Sequence, residues 1–584
     1  MKTRKLGHSL SLVARLAMGG LAVAPAALSA TTLVACADEN DPKTWVKRLD
    51  DPARRSESIK RLGEFFESAM RKANNNRDAD EVKQLRDVIA EPMSKTYAAG
   101  GLDDKTRKEL IKIVADLRDE RTFPALTKAF NDYEAGKSDE DVKYAADSLR
   151  GMADAGKAIT DQAVVDALWT CFSKFSPTKS KSIQTTQAIH DAMLAVKHPS
   201  WGPKAVEKLG APVLLEDPPP PVNDQLDFWQ LTAVQIISAL QYKPAARALV
   251  GVMMTRNKLK IMSAAKTALL KMPKEATPLL AAALLRTDPD FEKFHADWGA
   301  DKGYVIGLLD VLSYISTNDA KAAVLAAAGA MDNDGNRRAF AQSLVLFPPD
   351  PKVTETFKAV YNQLPPLGQK ADEHKGAERS GLLGVVAEFQ DPTLVPWLLK
   401  EMSTAKGDFE IAAPLNGMQS AIKLMMPDQK KAVGDALAGL EAKKMSKEEK
   451  SAVDNLRAAF DLASAVMDKC QKDVSCYVKA LEEPVPSQPP TANWKAIKAA
   501  NMAAMLGNDA TRGELLAVMP KVTNPGARLA VASAIDHLAP NGDTAGADAL
   551  DKIVKNDEEN NKELLKADDA LVKVALRLRA RAGQ

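Results

Sequence analysis

DERTFPALTKAF, residues 119–130, sets an Asp, then a Pro five residues later, then Leu126, Lys128 and Phe130 at alternate positions. DPTLVPWLLKEM, residues 391–402, repeats that order with Asp391, Pro396, Leu398, Lys400 and Met402. Asp is an N-cap residue, and Pro is tolerated in a first helical turn because its missing N–H would have no partner there. Each stretch therefore reads as the start of a short amphipathic helix. EATPLLAAALL (275–285) and DATRGELLAVM (509–519) are looser copies.

A second kind of helix recurs, Ala-rich with a basic start: RRSESIKRLGEF from Arg54, KYAADSLRGM from Lys143, KIMSAAKTALLKM from Lys260, RRAFAQSLVLF from Arg337 and ARLAVASAIDHL from Ala527. Small Ala lets helix backbones approach, while Leu and Ile fill the space between layers. Pro124 and Pro278 are 154 residues apart, and Pro278 and Pro396 are 118 apart. These are four and three units of about 39 residues, a period of the two-helix repeat class. Composition agrees. Hydrophobic residues make up 45% of the chain but aromatic ones only 5%, so helix formers dominate and β-favouring residues are scarce.

The paired pattern resembles HEAT repeats in its helix-start Pro, loop Asp and Ala/Leu second helix. The resemblance covers most of residues 43–582. It implies an all-α fold, an α-α superhelix of HEAT or armadillo type, with about a dozen units. WVKRLDDPARRSESIKRLGEFF, from Trp45, reads as the opening repeat. ALVKVALRLRARAGQ, from Ala570, reads as the closing helix, with Arg577, Arg579 and Arg581 near its C-terminus, where cations are favourable. Repeats fill residues 43–215, 225–481 and 494–584. EDPPPPVND (216–224) is a Pro-rich linker, extended because Pro cannot continue a helix. Residues 482–493 form a Pro-rich crossover, and GQKADEHKG (368–376) a polar loop.

Ahead of the repeats, Lys2, Arg4, Lys5 and Arg15 precede an uncharged run from Leu16 to Ala35, broken by Gly19, Gly20 and Pro25. This is the layout of a secretory signal over residues 1–35. A retained membrane helix is disfavoured, because Gly, Pro, Ser and Thr dilute a run already near the minimum spanning length. Leu33-Val34-Ala35-Cys36 resembles the bacterial lipobox, which implies diacylglyceryl transfer to Cys36, cleavage before it and acylation of the new amine. Ordinary cleavage near Ala24-Pro25-Ala26 is the competing reading. Residues 36–42 would be a lipid-proximal tether. The residue after Cys36 is Ala37 rather than Asp, which under the enterobacterial sorting pattern leans toward the periplasmic face of the outer membrane.

Four of the 79 basic residues lie in residues 1–35, which hold no acid, and the whole chain has 77 acids. Without that segment the basic excess disappears, and no electrostatic footprint for nucleic acid remains. Three cysteines follow Cys36. Cys171 sits at helical apolar spacing and reads as a buried, inert thiol. Cys470 and Cys476, in CQKDVSC, flank a turn that Asp473 can cap, and an oxidising compartment favours a structural bridge. Two free thiols and a redox pair are the alternatives.

No catalytic residue is assigned, and no metal or cofactor is expected. His190 and His198 are eight apart, and His295, His374 and His537 are isolated. No His-Glu pair occurs, which excludes the di-iron motif of the HEAT-like deoxyhypusine hydroxylases. The HEAT-like alkylpurine DNA glycosylases fit poorly, because an exported neutral chain meets no DNA. MDNDGNRRAF, from Met331, lacks the carboxylates a calcium loop needs at positions 1 and 12 and reads as a capped turn. The expectation is a membrane-anchored scaffold without catalysis of its own, binding a protein or peptide. One rival is an enzyme subunit or ligand-binding protein with a pocket around residues 284–305, where Asp, His, Trp and Tyr concentrate; a long loop plugged by Phe291 and Trp298 is the simpler reading. The other is a mechanical envelope part without a ligand.

Overall fold

In the computed structural model, Asp119 accepts a hydrogen bond from the Arg121 amide and starts a 3-10 turn, Glu120–Thr122, that runs into helix Phe123–Asn131. Asp391 does the same through Thr393 ahead of helix Val395–Ser403. Pro124 and Pro396 stand in the first turns of their helices. The looser copies differ. Helix Pro273–Leu284 starts a turn earlier than its sequence signal, so Pro278 lies inside it. Helix Asp509–Val518 is capped by Asn508, which accepts from Ala510 and Thr511, and not by Asp509.

The structure describes residues 38–210, 226–298, 303–348, 350–368, 376–407, 409–486 and 489–583. The signal segment, Cys36, the linker 216–224, His374 and most of the loop 368–376 lie outside these residues. Among the described residues every regular element is helical, and no helix is long and apolar enough to cross a membrane.

The chain divides into two units, residues 1–92 and 93–584. In the first, Asp41 caps helix Pro42–Arg48, which packs on helix Arg55–Lys72. Trp45 is buried with the Arg48 guanidinium 4.4 Å above its ring, and Ile59, Leu62 and Phe66 form the buried stripe of the second helix.

The second unit is a stack of helix pairs in two layers. Helix Phe123–Asn131 packs on Gln162–Lys174, and Ala246–Met254 on Pro273–Leu284. The other layer holds the Ala-rich helices. Asp139–Asp154 lies between Asp104–Leu117 and Ile183–Val196, Leu231–Leu240 packs on Leu259–Leu270, and Tyr304–Ile315 on Asp334–Leu344. Trp494–Leu506, Pro525–Leu538 and Leu565–Ala582 continue this layer. Ala145, Ala146, Ala188 and Ala192 are buried between neighbours, with Leu149 and Ile189 filling the interlayer space. Each such large apolar side chain contributes about 1.5–3 kcal/mol by leaving water.

One contact is not between sequence neighbours. Helix Leu565–Ala582 also packs on Leu259–Leu270 and Tyr304–Ile315 in the middle of the stack. Arg577 donates to the Leu346 carbonyl, Arg581 Nε to Ser316 Oγ at 3.0 Å, and Gln390 Nε2 to Ser533 Oγ at 3.1 Å. Both arginines pair with Asp536. The second unit therefore curls until its last helix meets its own Ala-rich layer.

Candidate functional site

The Ala-rich layer carries a ladder of ion pairs. Arg107 bonds Asp141, Arg150 bonds Asp191, Lys266 bonds Asp310, Arg338 bonds Glu378 and Arg528 bonds Asp568. Each pair joins one Ala-rich helix to the next of its kind. The hydrogen-bonded partners are 34 to 44 residues apart, so the repeat period is written in charge as well as in apolar spacing. Exposed members such as Arg150–Asp191 contribute about 0–1 kcal/mol each, since water screens them. They set which helix faces which more than they add stability.

Two rungs are buried. Arg528 is 0% exposed and uses its whole fork: Nε to Asp568 Oδ1 at 2.7 Å, one terminal nitrogen to Asp557, and the other to the carbonyls of Met519 and Val522. Asp141 is 1% exposed and accepts through Oδ2 from the Tyr97 hydroxyl at 2.6 Å and from Arg107. A third buried cation stands off the ladder. Lys498, 0% exposed, donates to the Lys423 and Met425 carbonyls at the end of helix Phe409–Leu424. Burial pulls its ammonium down to about 7.

The same layer exposes apolar side chains. Among the described residues, five of the seven large apolar side chains left exposed are Leu259, Ile306, Leu529, Leu565 and Val572. They lie on Leu259–Leu270, Tyr304–Ile315, Pro525–Leu538 and Leu565–Ala582, the helices that meet where the stack closes. Single exposed apolar residues are ordinary; five of them on helix Leu565–Ala582 and the three helices packed against it single out this part of the layer.

The residues singled out from sequence fall as follows. The structure joins Cys470 to Cys476, with Cα atoms 5.4 Å apart, across the turn between helices Lys447–Cys470 and Val474–Ala480, and Asp473 accepts from the Cys476 amide. Cys171 is buried, and burial raises its thiol well above the usual range. The 284–305 stretch is not a long loop in its described part: a turn, Pro289–Phe291, leads into helix Glu292–Trp298. Its aromatic residues point inward. Phe291 and Trp298 are buried, Trp298 Nε1 donates to the Met254 carbonyl at 2.7 Å, and His295 Nδ1 meets the Tyr304 hydroxyl. His190 bridges to Gln235 of the next Ala-rich helix at 2.8 Å, and His198 holds Ser200. Asn333 caps helix Asp334–Leu344, so MDNDGN is a capped turn. Among the described residues no three His, Cys, Asp or Glu side chains group to hold a metal ion.

No family model matches the chain, and no curated protein does. Solved structures that match include importin beta crystallised in ammonium sulfate, 10% identical, covering 93% of this chain and 74% of that one with a TM-score of 0.33. The karyopherin Kap121p bound to the extreme C-terminus of the protein phosphatase Cdc14p is 11% identical, covers 91% and 69%, and scores 0.34. Kap121p bound to Nup53p is 12% identical, covers 91% and 67%, and scores 0.33. The fold rests on the two-layer packing described above.

Proposed function

We propose that this chain is a lipid-anchored envelope scaffold that binds a protein or peptide partner on its Ala-rich layer and performs no chemistry of its own. The observation that carries the binding role is the exposure of Leu259, Ile306, Leu529, Leu565 and Val572 on helix Leu565–Ala582 and the three helices packed against it. Apolar groups left in water on rigid helices are what a partner's apolar side chains cover. The ion-pair ladder beside them fixes helix register, so the surface is presented without an ordering cost at binding. The anchor rests on the sequence alone: Cys36 behind an apolar run, in a lipobox-like setting, with attachment at the periplasmic face of the outer membrane. The Cys470–Cys476 bridge suits such an oxidising compartment.

Two experiments test the two halves separately. Palmitate labelling of the expressed chain should vanish in Cys36→Ala, and labelling that persists removes the anchor. Photo-crosslinking from Val572 in envelope fractions should capture a discrete partner, and Ile306→Ser with Leu529→Ser should abolish that capture. An unchanged set of crosslinked species removes the apolar layer from the binding role.

A further inference from the structure

Part of the closure of the second unit is a small seam. Helix Pro525–Leu538 brings Ser533 and His537, one helical turn apart and so on one face, to the middle of the stack. There Ser533 Oγ accepts from Gln390 Nε2 at 3.1 Å. Both residues line a cavity of about 50 Å³ with His537, Glu388 and residues 345–348. Asp536, and Arg577 and Arg581 from helix Leu565–Ala582, complete the lining.

The seam has no carboxylate to spare. Asp536 serves two largely buried guanidinium groups, Arg577 at 3.1 Å and Arg581 at 2.6 Å. Glu388, half-exposed on the turn Val386–Phe389, has Lys423 at 3.9 Å. Helices Trp494–Leu506 and Asp509–Val518 also pack on Pro525–Leu538, but among the described residues no charged side chain of theirs lines the cavity. Lys498 of the former is turned to the Lys423 and Met425 carbonyls. His537, half-buried in this cluster, is within reach of protons from solvent. Burial holds its imidazole below the ordinary 6.5; Asp536 pulls the other way, and Arg581 adds to the effect of burial. A neutral ring therefore suits the closed seam, and a charged one does not.

We infer that the closure is an acid-released clasp: protonating His537 sets a third cation beside Arg577 and Arg581 at their shared carboxylate and frees helices Pro525–Leu538 and Leu565–Ala582 from the middle of the stack. The open form binds the proton more readily, because there the ring regains water. Closure is therefore kept in full above about pH 6.5 and weakens as pH falls through that value. The inference depends on neither the apolar layer nor the anchor and stands if those readings fail.

The test is hydrogen–deuterium exchange on the full chain, corrected for intrinsic rates. Amides of Leu565–Ala582 should exchange about threefold or more faster at about pH 5.5 than at about pH 7, while those of Phe123–Asn131 keep their rates. His537→Gln should remove the difference and leave the clasp closed at both pH values. His537→Lys should leave it open at both. If the lysine variant fails to fold, imidazole NMR decides, with the His537 midpoint expected below 6.5. A pH difference that persists in His537→Gln, a closed His537→Lys, or equal exchange of the unmodified chain at both pH values overturns the clasp. So does a midpoint at or above 6.5, or an equal acceleration of Phe123–Asn131.

Discussion

The first and last rungs of the ladder use the same chemistry and reach different ends. At Arg528 the guanidinium is the buried hub, held by two carboxylates and two carbonyls. At Asp141 the carboxylate is the buried hub, held through one oxygen while the other, also buried, has no hydrogen-bond partner among the described residues. The difference lies in the neighbours. Arg528 sits in mid-layer, where Pro525–Leu538 and Leu565–Ala582 press together. Asp141 sits in a first helical turn beside a Gly-Gly bend. The same ion pair is a fully bonded bolt in mid-layer and a half-bonded one beside the bend.

The largest effect should come from the fully bonded rung. Arg528→Met strands Asp557 and Asp568 without a counter-ion and should lower stability by about 3–5 kcal/mol in denaturant titration. Replacing all three by apolar residues of similar volume should recover most of that loss. If Arg528→Met leaves the midpoint in place, the two rungs are equivalent and the contrast fails. Reduction of Cys470–Cys476 should cost roughly 2 kcal/mol, the loop-closure entropy of so short a segment. Intact mass should rise by about two daltons for that one bond. Asp141→Asn keeps an acceptor for Tyr97 and Arg107 and should cost about 1–2 kcal/mol, less than the Arg528 change. An equal or larger loss would make the half-bonded rung as strong as the full one.

Lys498 supplies the limiting case, a buried cation with carbonyls but no carboxylate partner among the described residues. Its ammonium is pulled from the ordinary 10.5 down to about 7. The unfolded chain therefore binds more protons between those values, and stability rises with pH across that window. Below about pH 7 both states are charged and the burial cost is fully felt. The difference between the unmodified chain and Lys498→Met should grow in favour of the former by up to about 1.4 kcal/mol from pH 8 to pH 9. A flat difference would show that Lys498 has its ordinary proton affinity.

Much of the fold was legible because capping is local. Asp119 and Asp391 announce their helices within a few residues, and the Ala-rich helices announce the layer that packs on itself. Boundaries slipped where two signals compete. Pro273 starts a helix that Pro278 was expected to start, and Asn508 caps one that Asp509 was expected to cap. The 284–305 stretch reads as a loop because DPDFEK mimics a break, yet Phe291 and Trp298 find apolar walls and fold it into helix. The site was far less legible. An Asp in DEDVKYAADS looks like any solvated first-turn acid, yet it is buried and bonded to Tyr97 and Arg107, which lie far back in the sequence. Arg577 and Arg581 read as ordinary helix-end cations, whereas they grip Leu346 and Ser316, 231 and 265 residues away.

That grip changes how the second unit should fold. An open array of repeats is held by nearest-neighbour contacts, so it can nucleate anywhere and fray one unit at a time. Contacts spanning more than two hundred residues tie the fate of helix Leu565–Ala582 to that of Tyr304–Ile315. Chain-closure entropy must then be overcome before those contacts form, which slows the final step and makes the repeats between them melt together rather than in sequence.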